Sequence, residues 1–169
     1  MKTFIFTLFL ASNLFSLGLD AIPQKVILQG DDGGKTDGTL WDSSTLKDKV
    51  FVVFYVDPDE KDTNNNFSEA LKEKKFDLNN YGSVAIVNMA ATWMPNIAIE
   101  SKLKSKQKKF PNALYIKDKK KVLVKKWNLE DDASNVAVFG KDGKVLYFKS
   151  GKLDKNEIDK VLRLIEDNL

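Results

Sequence analysis

The chain has 169 residues, 43% hydrophobic and 30% charged, with 27 Lys and Arg against 24 Asp and Glu, the balance of one soluble globular domain. It contains no cysteine and no histidine. That excludes thiol-disulfide exchange, thiol peroxidase chemistry, Ser-His-Asp triads, imidazole bases and His- or Cys-bound zinc, and leaves carboxylate, Lys, Tyr, Ser or Thr chemistry, or none.

The first eighteen residues, MKTFIFTLFLASNLFSLG, stand apart. Lys2 gives a positive start, Phe4 to Leu17 an apolar stretch, and Ser16 and Gly18 small side chains ahead of a cleavage point before Leu19. This is the pattern of a secretory signal peptide. A helix of that stretch would rise about 21 Å, short of a bilayer core of ~30 Å, and Ser12 and Asn13 interrupt it. With no cysteine after it, a lipid anchor is excluded. The expected organisation is a signal peptide over 1–18 and one domain over 19–169. The expected address is the periplasm, without stable membrane insertion after cleavage.

KVILQ (25–29) reads as a short strand before a turn-rich segment. VFVVFYV (50–56), closed by Asp57-Pro58, is an unbroken β-branched and aromatic run, the signature of a strand buried on both faces. TNNNFSEALKEKKF reads as a helix, with Asn66 as its cap, Glu69 answering it, and Phe67, Ala70 and Leu71 inward. SVAIVNM (83–89) is a second buried strand. Pro95 opens a helix with Ile99, Leu103 and Phe110 on one face. NALYIKD and KKVLVKKW read as two extended pieces. SNVAVF-GKDG-KVLYFKSG is a hairpin turning at Asp142-Gly143, and Asp154 and Glu157 form a capping box before the stripe Ile158, Val161, Leu162, Ile165.

Buried strands alternating with helices, then a hairpin and a last helix, predict an α/β thioredoxin-like fold: a central mixed sheet flanked by helices, preceded by N-terminal extension strands. Trp93-Met94-Pro95-Asn96-Ile97 imitates the Trp-Cys-x-x-Cys of such folds, with Met94 and Ile97 at the sulfur positions. Register argues against it. A redox pair follows the first core strand, here 50–56, which places the equivalent ground at DPDEKDTNNN. Trp93 and Pro95 therefore read as a buried ring and a helix-starting proline. Ser134 stands where redox-active relatives carry a cis-proline.

AIVN (85–88), WNLEDDASNVAVF (127–139) and KDGKVLYFKSGKLDKNEIDKVL (141–162) resemble the YtfJ family of periplasmic proteins. The resemblance covers nearly the whole chain after residue 18 and is most specific from Trp127 onward. It implies a thioredoxin-like fold without the dithiol and adds no mechanism.

Asp57, Asp59, Glu60 and Asp62 gather carboxylates after the central strand, at the sheet edge where open α/β folds bind ligands. With Trp93 and Ser134 they are the candidate binding residues. Asp62-x-Asn64-x-Asn66 has an EF-hand rhythm, but Phe67 stands where that loop needs glycine, and no metal is expected. Glu130, Asp131 and Asp132 lie beside Ser134, and Tyr55, Trp41 and Trp127 read as core aromatics.

Residues 102–126 hold eleven Lys and one acid, Asp118, a balance of +10. Lys104, Lys108, Lys109, Lys119, Lys120 and Lys121 are candidate anion-binding residues. KLKSKQKK alternates by two, however, and on a helix that spreads charge around the barrel. Nucleic acid is not expected, since the lysines lack interleaved aromatics.

The functional expectation is a non-catalytic module that binds a protein or envelope component, with no cofactor. The alternatives are a carboxylate or metal-assisted enzyme at Asp57–Asp62 and an electrostatic binder of anionic envelope surface through Lys102–Lys126.

Overall fold

A computed structural model describes residues 17–169. The expected signal peptide lies outside them except for its last two residues. Of these, Leu17 is buried and donates its N–H to the Trp127 carbonyl at 3.2 Å.

The run 50–56 forms strand β4 (Val50–Val56), and its neighbours make it interior. On one side β5 (Tyr81–Asn88) runs parallel, followed by β6 (Ala113–Asp118), also parallel. On the other, β7 (Ser134–Phe139) and β8 (Val145–Ser150) add the antiparallel hairpin. The short β2 (Gly33–Lys35) pairs antiparallel with β6, completing a six-stranded sheet in the order β2-β6-β5-β4-β7-β8. A separate two-stranded ribbon joins β1 (Ile27–Leu28) to β3 (Trp41–Asp42).

Strand alternation divides the core. Val50, Val52, Val136 and Val138 point to one face, where they meet Phe67 and Leu71 of α1 (Asn65–Lys74) and Ile158, Val161, Leu162 and Ile165 of α4 (Lys155–Asn168). Each such apolar side chain, fully buried, contributes about 1.5–3 kcal/mol. Val87 and Tyr115 pack with Ile99 and Leu103 of α2 (Asn96–Lys109) in a smaller cluster. Val53, Tyr55, Val84, Ile86 and Ile116 point to the opposite face, beneath Trp41, Leu123 and Trp127. The two indoles meet edge-on at 6.4 Å, and the Trp127 indole donates to the Gln24 carbonyl at 2.7 Å. The expected aromatic core is present.

Three local expectations are corrected. KKVLVKKW is not a strand: Val122–Trp127 form a short helix, α3, bracketed by Lys121 and Asn128 in the left-handed conformation. β-propensity is overridden because Asp118 captures the backbone N–H groups of its first turn. Asn66 does not cap α1. Asn64 precedes the helix, and its buried side chain donates to Ser134 Oγ (2.9 Å) and the Gly151 carbonyl (3.0 Å) while accepting from Leu153 N (2.9 Å). Phe110 ends α2 partly exposed. The Asp154–Glu157 capping box forms as expected.

Candidate functional site

Three parallel strands end on a polar residue at the same level. Asp57 follows Val56, whose partner is Val87, so Asp57 stands level with Asn88; Asn88 is in turn paired with Asp118. All three are buried, at 3%, 1% and 0% exposure. Alternation sends them to the face that carries Tyr55, Ile86 and Ile116, forming a row across the carboxyl ends of β4, β5 and β6.

Each member has different partners. Asp118 is saturated: Oδ1 accepts from Val122 N (2.9 Å) and Lys120 N (3.2 Å), and Oδ2 from Leu123 N (2.9 Å) and the Tyr55 hydroxyl (3.1 Å). It thereby serves the unsatisfied donors at the start of α3. Burial first, then the Asp118 charge, pushes the Tyr55 phenol far above its ordinary value. Asn88 donates to Asp131 Oδ1 at 2.8 Å, while its Oδ1 has no partner among the described residues. Asp131 is held by Lys121 at 2.5 Å. Burial works against the Asp131 charge, but the bonds from Lys121 and Asn88 keep its carboxyl below the usual range. Lys121 is raised by the same pairing, and by Asp132 and Asp57 nearby.

Asp57 is the least compensated. Its N–H donates to the Ala133 carbonyl (3.0 Å), and Oδ1 accepts from Asp59 N (2.8 Å). Burial, followed by the charges of Asp59, Asp132 and Glu60, raises its carboxyl above the ordinary aspartate value. Lys121 and Asp132, on either side of this row, both have positive φ, a conformation that strains residues with a Cβ.

The remaining candidates separate. Asp59, Glu60 and Asp62 are exposed on the turn after β4; Asp62 pairs with Lys61 at 3.1 Å and Glu60 accepts from the Thr63 hydroxyl. The EF-hand rhythm has no geometric basis, because Asn64 is committed to Ser134, Gly151 and Leu153. No group of three or more Asp or Glu among the described residues is arranged to hold a metal. Ser134 opens β7 opposite Val56, receives Asn64, and follows a trans peptide bond.

The lysines divide into two sets. Lys119 pairs with Glu100 (2.9 Å), Lys120 with Asp32 (3.0 Å) and Lys121 with Asp131, so the charges of these three are already engaged within the protein. Lys104, Lys108 and Lys109 are exposed on α2 with no carboxylate at ion-pair distance among the described residues.

Trp93 is not a buried ring. It is 90% exposed, because Met94 takes the inward place against Met89, Ile99 and Leu103. A cavity of about 790 Å³ lies away from this edge, between the N-terminal segment and the opposite ends of the strands, and includes Leu40, Trp41, Phe51, Val84 and Leu114 in its lining.

The model of a family described as "Bacterial protein of unknown function (YtfJ_HI0045)" matches residues 26–168. The chain belongs to the YtfJ family. A YtfJ relative from Escherichia coli K12, "Uncharacterized protein YtfJ", is 31% identical over 129 residues, covering 75% of this chain and 70% of the relative. A Haemophilus influenzae protein is 26% identical over 144 residues, covering 83% and 77%. Among solved structures, a putative thiol:disulfide interchange protein DsbE from Chlorobium tepidum superposes with a TM-score of 0.68 at 14% identity, covering 90% of this chain and 99% of that one. A peroxiredoxin-like protein from Aquifex aeolicus gives 0.64 at 14%, covering 91% and 89%. This YtfJ chain therefore has a thioredoxin-like fold, with a buried Asp57–Asn88–Asp118 row and no cysteine.

The sequence did carry a signal for that row. VFVVFYVD, AIVN and ALYIKD each pass from an apolar run to Asp or Asn. What it could not give was the register that sets them side by side, or the turn that brings Lys121 back to Asp131.

Proposed function

We propose that this protein is an exported periplasmic binding module that does no redox chemistry and recognises a protein or envelope partner at the carboxyl ends of its strands. The single observation that carries the reading is the closed Asn88–Asp131–Lys121 arrangement beside Asp57 in a cysteine-free chain. An ion pair braced by a buried amide is a pre-ordered polar surface rather than a reactive group. Around it the exposed Asp59, Glu60 and Asp132 offer charge to a partner. Export is supported by the composition of residues 1–18. A photocrosslinking residue at Asp59, compared with one at Lys141 on the hairpin turn at the opposite end, tests the reading in living cells. A discrete adduct from Asp59 and none from Lys141 is expected; equal adducts from both, or none from Asp59, overturn it.

A second reading rests on Asp57 alone. A buried carboxyl with raised proton affinity is the state that general acid–base catalysis uses. Hydrolytic activity that disappears in a folded D57N variant would establish it. Activity unchanged by D57N would end it.

A further inference from the structure

Trp93 and Ile97 are the most exposed large apolar side chains of the described residues, at 90% and 81%, and they lie four residues apart where the loop enters α2. Trp41 and Trp127 are both buried, so the exposure of Trp93 is particular to this loop. Ile97 also begins a line along the helix: Ile97, Ser101, Lys104 and Lys108 follow at steps of four, three and four. That spacing places them on one stripe, turned away from the buried Ile99 and Leu103. All four are exposed. The only acid of α2, Glu100, is taken by Lys119 and Lys117, leaving the stripe with positive charge alone.

We propose that this stripe is a peripheral membrane-docking surface, with Trp93 and Ile97 entering the headgroup region of a bilayer rich in anionic phospholipid while Lys104 and Lys108 meet its phosphates. Three observations favour a bilayer over a protein groove as the occupant. The apolar pair stands out from the surface instead of lining a hollow. An indole is suited to the boundary between water and hydrocarbon. The charge next to it has the sign that an anionic surface attracts. No described helix is long and apolar enough to cross a membrane; the contact proposed is superficial and, because it draws on lysine charge, salt-sensitive. It does not depend on the partner-binding reading above, since it uses none of the residues of the Asp57 row or of the Asp131–Lys121 pair.

Vesicles of phosphatidylcholine with 30 mol% phosphatidylglycerol, compared with pure phosphatidylcholine, give the test. Trp93 supplies its own readout, because the two buried indoles report nothing new on binding. A blue shift of tryptophan emission and co-sedimentation with the anionic vesicles are expected, both weakening as salt is raised. K104Q/K108Q should weaken binding roughly thirtyfold, from the attraction of two lysines for an anionic surface. K155Q/K160Q, an equal loss of charge on α4, should leave it unchanged. W93F should abolish the blue shift while co-sedimentation continues, and W93S/I97S should lower co-sedimentation about tenfold or more. Equal binding to neutral vesicles, no binding to either, or a blue shift on concentrating the protein without lipid, which would mean a second copy covers the stripe, overturns the proposal.

Discussion

The Tyr55 hydroxyl reaches across β5 to donate to Asp118 Oδ2 at 3.1 Å, joining two strands that are not neighbours in the sheet. The carboxylate it meets already holds the first turn of α3. One buried charge thus fixes the central strand, the third parallel strand and the helix beyond it.

D118N should destabilise the fold by about 2–4 kcal/mol, because an amide group in place of one oxygen faces backbone donors it cannot accept from. Y55F should cost only about 1 kcal/mol, the net worth of a single hydrogen bond. Urea denaturation of both variants and of the double mutant checks this. If Y55F costs as much as D118N, the carboxylate is not the anchor.

N64A removes a side chain that ties the start of α1 to β7, to the end of β8 and to the approach to α4. The expected loss is about 2–3 kcal/mol, since buried partners at Ser134, Gly151 and Leu153 are left unsatisfied. N66A, on the exposed side of the same helix, should be within about 0.5 kcal/mol of wild type. Thermal melts of the two variants give the contrast directly.

The Asp57 carboxyl binds its proton more tightly folded than unfolded, since burial, and next the carboxylates around it, raise it. Between the ordinary aspartate value and that raised value the native state holds more protons than the unfolded chain. Stability from this group is therefore greatest in acid and falls as pH rises through the window. D57N keeps an acceptor for Asp59 N and removes the charge. A melting temperature a few degrees above wild type at pH 7, and no difference near pH 3, is the expected pattern; a penalty at pH 7 would show that the charge is compensated.

Gly33 lies at φ +129°, and a Cβ there would stand 1.9 Å from the Lys117 carbonyl oxygen. G33A should therefore detach β2 from β6 at a cost of about 3 kcal/mol or more, beyond the reach of side-chain adjustment. Hydrogen exchange should show early loss of protection confined to β2 and β6.

The periodic parts of this chain were legible because burial leaves a pattern. The seven apolar residues of β4, the stripe of α4, its capping box and the hairpin at Asp142-Gly143 all form where spacing placed them. The departures occur where a distant polar group outweighs local preference. Asp118 turns VLVKKW into a helix although its residues favour strands, and Asn64 is drawn to Ser134 and Leu153 instead of capping through Asn66. Trp93 reads as core by composition alone, yet the inner place beside it suits the slimmer, more pliable Met94. Ion pairing split the lysine run in the same way, since whether Lys119, Lys120 and Lys121 are free depends on Glu100, Asp32 and Asp131, all set by tertiary folding.

The pairing of β2 with β6 joins residues some eighty positions apart. Closing so wide a loop is slow, and it yields little until the strands between have already assembled. The N-terminal ribbon and its margin of the sheet should thus be fastened late during folding and loosen early under stress, so that a protease added at mild denaturant nicks the chain between Ile27 and Asp42 while the Asn64 junction and the C-terminal helix still resist.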